Sequence, residues 1–139
     1  MAIVNIRDTG RNSAKTADVR SLATKVQKPS DTEAITAANT ITAAESGTRF
    51  VMNTATARIQ TLPTPAAGLE YWFYVGATEP TGTHTIVTAS SANIIVGNVS
   101  SPEDAAGNVA TVTDADTISL VASKAVHGDF VHVWSDGTN

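Results

Sequence analysis

The chain of 139 residues contains no cysteine. That absence removes disulfide bridges, thiol nucleophiles and cysteine-ligated zinc together. Aromatic residues make up only 5% and charged residues 16%. No apolar run approaches the roughly 20 residues of a membrane span, and the opening MAIVNIRDTG lacks the apolar stretch of a secretion signal. The expectation is a soluble protein made in the cytoplasm, with no membrane partner. What is abundant is small and β-branched: 22 Ala, 21 Thr and 14 Val. A Thr/Val/Ala-rich, Leu-poor composition disfavours a helical bundle and favours β packing. The length suits one domain with an appendage, enough to hide roughly two-thirds of the extended chain's surface.

The net charge of −4 averages two unlike regions. Residues 1–30 carry Arg7, Arg11, Lys15, Arg20, Lys25 and Lys28 against Asp8 and Asp18, a balance of +4. Residues 31–139 carry Arg49, Arg58 and Lys124 against 11 acidic residues, a balance of −8. A basic N-terminal arm thus precedes an acidic body. In the arm, Val19, Leu22, Ala23 and Val26 fall on one side of a possible short helix ended by Pro29. So polar a helix is marginal alone, so the arm is expected to be extended or partly helical and to order only against another surface. Its six cationic residues are candidate docking groups. It lacks aromatic residues for base stacking, and the acidic body repels phosphate, so no direct nucleic-acid role is expected.

From residue 34 onward, short Ile/Val/Thr/aromatic runs alternate with Gly, Pro, Asn, Asp and Ser. Nine strands are expected, at 34–42, 48–53, 57–62, 69–76, 84–89, 93–98, 108–113, 116–122 and 129–135. The fold class is all-β: a small β-sandwich, jelly-roll-like or barrel domain. The Ala-rich TEAITAANTITAAESG tempts a helix assignment, but its Thr content, Asn39 and Gly47 argue against one. In LEYWFYV, alternation puts Leu69, Tyr71, Phe73 and Val75 on one side and Glu70, Trp72 and Tyr74 on the other. In DFVHVWS, Val131 and Val133 oppose Phe130, His132 and Trp134. The apolar sides belong in the core. Trp72, Tyr74, Phe130, His132 and Trp134 are candidate residues of an interface with another subunit or partner, the alternative being a strand covered on both sides.

Catalytic motifs are missing. There is no GxSxG, P-loop or paired-histidine helix. His127, Asp129 and His132 lie close in sequence, but residues 127 and 132 point to opposite sides of a strand, and Gly128–Asp129 reads as a turn. Asp136–Gly137 reads as a hairpin turn rather than part of a calcium loop. Glu103–Asp104, between Ser101–Pro102 and Gly107–Asn108, reads as an exposed loop. No enzyme activity, metal or cofactor is expected.

The segments ITAANTITAAESGTRFVMN, QTLPTPAAGLEYWFYV, HTIVTASSANIIVG and GDFVHVWSDGTN resemble a module of tailed-bacteriophage structural proteins. The resemblance runs from Ile35 to the last residue. Such modules occur in capsid decoration (cement) proteins and in tail-fibre and spike proteins. The resemblance implies a homotrimer on the outer capsid surface of the virion, bridging capsomers of the major capsid protein. Its alternative is a tail-fibre or spike adsorption subunit. In the resembling proteins an aromatic strand follows the Asp-Gly-Thr-Asn turn; here Asn139 is the last residue. That strand is either unnecessary, supplied by another element, or replaced by a tail.

Overall fold

The chain divides into two units, residues 1–30 and 31–139. A computed structural model describes residues 31–100 and 109–139 of the second. The arm, with Arg7, Arg11, Lys15, Arg20, Lys25 and Lys28, and the Glu103–Asp104 segment lie outside the described residues.

The described body is all-β apart from a single 3-10 turn at Ala43–Glu45. Its strands are β1 (Thr32–Ile35), β2 (Asn39–Thr40), β3 (Arg49–Met52), β4 (Ile59–Thr61), β5 (Glu70–Val75), β6 (His84–Val87), β7 (Ile95–Ser100), β8 (Val109–Ala115), β9 (Thr117–Leu120) and β10 (Phe130–Trp134). They form two four-stranded sheets, β1-β3-β5-β10 and β2-β4-β6-β9, and a two-stranded hairpin, β7-β8.

The winding differs from the antiparallel Greek keys of a jelly roll. β1, β3 and β5 are parallel, as are β2, β4 and β6, whereas β10 and β9 run antiparallel to the ends of the two stacks. Successive strands alternate between the sheets, so each parallel connection is carried by a strand of the opposite sheet. Parallel neighbours need long crossovers, and here the second sheet supplies them. After three coils the chain reverses, and β9 and β10 close the stack.

The expected strand at 34–42 is two strands for this reason. Ile35 faces inward from the first sheet and Ile41 from the second, both almost wholly buried. Thr36–Ala38 turns the chain between them. The next coil holds that turn: Arg58 Nε donates to Thr36 O at 3.0 Å, and Gln60 Nε2 to Ala37 O at 3.2 Å. Further on, the coils touch at glycine. A Cβ on Gly82 would lie 2.6 Å from the Ala57 backbone nitrogen, so only hydrogen fits there. The 3-10 turn is closed by Glu45, whose Oε2 accepts from the Thr42 N–H at 2.7 Å and the Thr42 hydroxyl at 2.6 Å.

One core cluster joins both sheets: Ile35, Phe50, Met52, Tyr71 and Phe73 from the first, with Ile41, Leu62 and Ile86 from the second. Phe50 and Phe73 stack with centroids 5.3 Å apart. Leu69, Ile118, Leu120, Val131 and Val133 pack around this cluster. The alternation expected for LEYWFYV and DFVHVWS therefore holds. Tyr71, Phe73 and Val75 are buried, while Phe130, His132 and Trp134 are exposed.

Candidate functional site

The five aromatic and imidazole residues singled out in the sequence come together on the outer side of β5 and β10. The antiparallel register sets Phe130 beside Tyr74, His132 beside Trp72 and Trp134 beside Glu70. Ser135 N donates to Leu69 O and Val75 N to Asp129 O. By alternation, the Trp72–His132 pair is then of the close, non-hydrogen-bonded kind. Its rings stack with centroids 3.9 Å apart and planes 9° from parallel. Tyr74 lies 6.1 Å from Trp72 on nearly the same plane angle, and Phe130 leans on both at 5.9 Å.

Glu70 organises the polar edge of this cluster. Its Oε1 accepts from Trp72 Nε1 at 3.1 Å and from His132 Nε2 at 2.9 Å. A carboxylate only accepts, so the His132 proton sits on Nε2. Phe130 and Trp134 remain 59% and 67% exposed, and Trp134 has no ring partner among the described residues. Across β3, Arg49 lies beside Trp72 and Val51 beside Tyr74. β10 is also the edge of its sheet. The backbone groups of Phe130, His132 and Trp134 point away from β5, so the residues that carry the aromatic side chains also carry the open ladder.

The outer side of the second sheet is different. Register places Thr61, Val87 and Thr117 in one row and Ile59, Thr85 and Ser119 in the next. Thr40 adjoins Thr61 on β2. These residues include no charged or aromatic group, and Ile59 is 54% exposed.

Sequence reasoning missed two buried polar residues on the inner side of this sheet. Gln60 and His84 are both fully buried. His84 Nε2 lies 2.9 Å from Thr54 O, so it must donate, which leaves Nδ1 as an acceptor. Nδ1 of His84 and Oε1 of Gln60 have no partner among the described residues. The signal was parity: Gln60 shares a side with Leu62, and His84 with Ile86.

Among the described residues, Tyr71 and Asp136 are shifted from their ordinary values. Burial, and secondarily the charge of Glu45, raises the Tyr71 phenol above its ordinary value; its hydroxyl donates to Thr42 O at 3.1 Å. Asp136 is held below the usual carboxylate value by the backbone N–H groups of Asn139 and Thr138. Those bonds are 2.9 and 2.7 Å, so a side chain closes this turn rather than the strand pair of a hairpin. His127, Asp129 and His132 do not converge: Asp129 Oδ2 accepts from Val126 N, and His132 is engaged by Glu70. No group of three or more metal-ligating side chains occurs among the described residues.

No protein-family model, curated protein or solved structure matches this chain.

Proposed function

We propose that this chain is a non-enzymatic docking module that works as an oligomer. Its role is that of a capsid decoration (cement) protein of a tailed bacteriophage, bound as a homotrimer to the outer capsid surface and bridging capsomers of the major capsid protein. The observation that carries this reading is the outer aromatic patch, in which Phe130, His132 and Trp134 are exposed on the edge strand β10 and flank the half-buried Trp72 and Tyr74 of β5. Exposed aromatic side chains rimmed by polar groups fit a protein partner, since such residues anchor interfaces. The body is read as a two-sheet sandwich whose wound coils hold that patch rigid. Three bodies acting together raise effective concentration, so modest single contacts release slowly. The basic arm pairs with acidic ground on the shell.

The alternative, a tail-fibre or spike adsorption subunit, calls for ring faces open to sugar. Here one face of Trp72 is occupied by His132 at 3.9 Å, which supports a protein contact at Trp72, and Trp134, without a ring partner among the described residues, is where a sugar would stack.

Adding purified protein to undecorated capsids tests the reading. Trp134→Glu is expected to abolish occupancy while leaving the fold intact by circular dichroism. Deleting residues 1–28 and raising salt are each expected to weaken binding. Full occupancy by Trp134→Glu would remove the aromatic patch from the mechanism. Binding to host cells with none to capsids would favour the adsorption subunit.

A further inference from the structure

The β7-β8 hairpin is the part of the body that the core does not hold. Its strands pair with each other, and neither packs appreciably on another described strand. None of its residues belongs to the core cluster. Register puts Gly97 beside Val112 and Asn98 beside Thr111. Gly97, Val99 and Val112 thus share one side, while Asn98 and Thr111 share the other, joined by a 3.2 Å hydrogen bond. Val99 is 54% exposed on the first side, and Val96, on the side of Asn98, is 59% exposed. A two-stranded hairpin is at best marginally stable alone, and this one leaves Val99 uncovered on the side away from the Asn98–Thr111 bond.

The chain's own second sheet is badly placed to cover it. Thr88 N donates to Asp116 O, continuing the β6-β9 ladder, and pairing resumes at Ile95 beside Ala115. The hairpin therefore leads off the end of the β6-β9 pair as a separate two-stranded sheet, with residues 88–94 looped out and the register shifted between Ile95 and Gly97. Neither of its strands packs appreciably on the face of its own second sheet, but the hairpin can lie over the corresponding face of a neighbour.

Charge selects the neighbour's face. Two acidic bodies repel except where uncharged surfaces meet. The outer side of β2-β4-β6-β9, built from Thr40, Ile59, Thr61, Thr85, Val87 and Ser119, carries no charge. The outer side of the first sheet carries Arg49 and Glu70. We propose that the Val99/Val112 side of the hairpin in one copy packs on the Ile59/Val87 face of a second copy. This rests on the oligomeric reading above and names the contact between copies. The contact is heterologous, joining unlike surfaces, so it closes into a ring where the rotation permits. It leaves the aromatic patch free for the shell.

The cysteine-free chain makes the contact directly readable. Val99→Cys and Ile59→Cys are combined in the full-length protein and treated with a short bis-maleimide, both free and capsid-bound, with light scattering on the same samples. The expected result is chains linked to each other on a denaturing gel from the double variant, with little linkage from either single one. Val99→Asp is expected to weaken self-association about tenfold or more with an unchanged circular dichroism spectrum. A trimer whose double variant does not cross-link, or whose assembly survives Val99→Asp, overturns this contact and leaves the trimer standing. Linkage by Val99→Cys alone overturns it in favour of hairpin-to-hairpin pairing. A monomer both free and on capsids overturns the oligomeric reading itself.

Discussion

The two outer sheet faces share a scaffold and differ in chemistry. Both sit on three parallel strands closed by one antiparallel strand. The first presents Trp72, Tyr74, Phe130, His132 and Trp134 with Glu70 and Arg49; the second presents Thr and Ser with Ile59 and Val87. Inside, the contrast persists, with Phe50, Tyr71 and Phe73 on the first sheet and buried Gln60 and His84 on the second. Parity along each strand sets which side a residue faces, but partner choice is left to side-chain type. One winding pattern can therefore carry an aromatic, charge-bearing surface on one sheet and a neutral, small-residue surface on the other.

The largest expected effect comes from crossing the first sheet from inside to outside. Phe73→Ala empties a fully buried site and should cost about 3–5 kcal/mol in urea unfolding. Trp72→Ala, one residue away on the outer side, loses ring contacts and should cost about 0.5–1.5 kcal/mol. Equal losses would mean that the outer face is covered within the monomer, and the contrast between faces would fail. Next comes Gly82→Ala, which drives a methyl group into the Ala57 backbone at the turn joining the sheets. Overpacking of this kind costs about 1–3 kcal/mol. Gly97→Ala, where nothing lies near the added Cβ, is its control.

Most strand positions were legible because both faces of each strand are distinct. LEYWFYV alternates cleanly since Tyr71 and Phe73 meet the core while Trp72 and Tyr74 do not. The winding was not legible. Coils of unequal length, Thr32 beside Arg49 but Arg49 beside Trp72, leave no fixed repeat for the eye to find. A Thr-rich outer face with an Ile/Leu inner face looks the same in parallel and antiparallel sheets. Gln60 and His84 were hidden because a polar residue within an alternating strand reads as outward-facing. Only the stacked turns at Ala37 and Thr54 provide the carbonyls that hold them inside.

Tyr71 links the faces through the core, and its contribution is smaller. Tyr71→Phe removes the bond to Thr42 O and should cost about 0.5–1.5 kcal/mol. The native state holds the phenol proton more tightly than the unfolded chain does. Its stabilisation is therefore complete below the ordinary tyrosine value of about 10 and falls as pH rises from there through the raised native value. Thermal unfolding of the wild type should weaken across that alkaline window, and Tyr71→Phe should flatten the loss. An unchanged alkaline slope in the variant would assign it to another group.

The smallest effect is local, and it tests whether the faces are independent. Asp136 follows β10, and its carboxylate gathers the Thr138 and Asn139 N–H groups. Its native value is depressed, so the turn's stabilisation is present above the ordinary carboxylate value and is lost as pH falls through the lower native one. On acidification, the Thr138 and Asn139 amide resonances should shift together. Trp134, two residues before Asp136, should follow them, whereas Ile59 on the other sheet should stay still. Asp136→Asn should abolish the step at Thr138 and Asn139. If Ile59 moves in step with Trp134 and stops moving in Asp136→Asn, the two faces are coupled through the core, and a partner docked on one would be felt at the other.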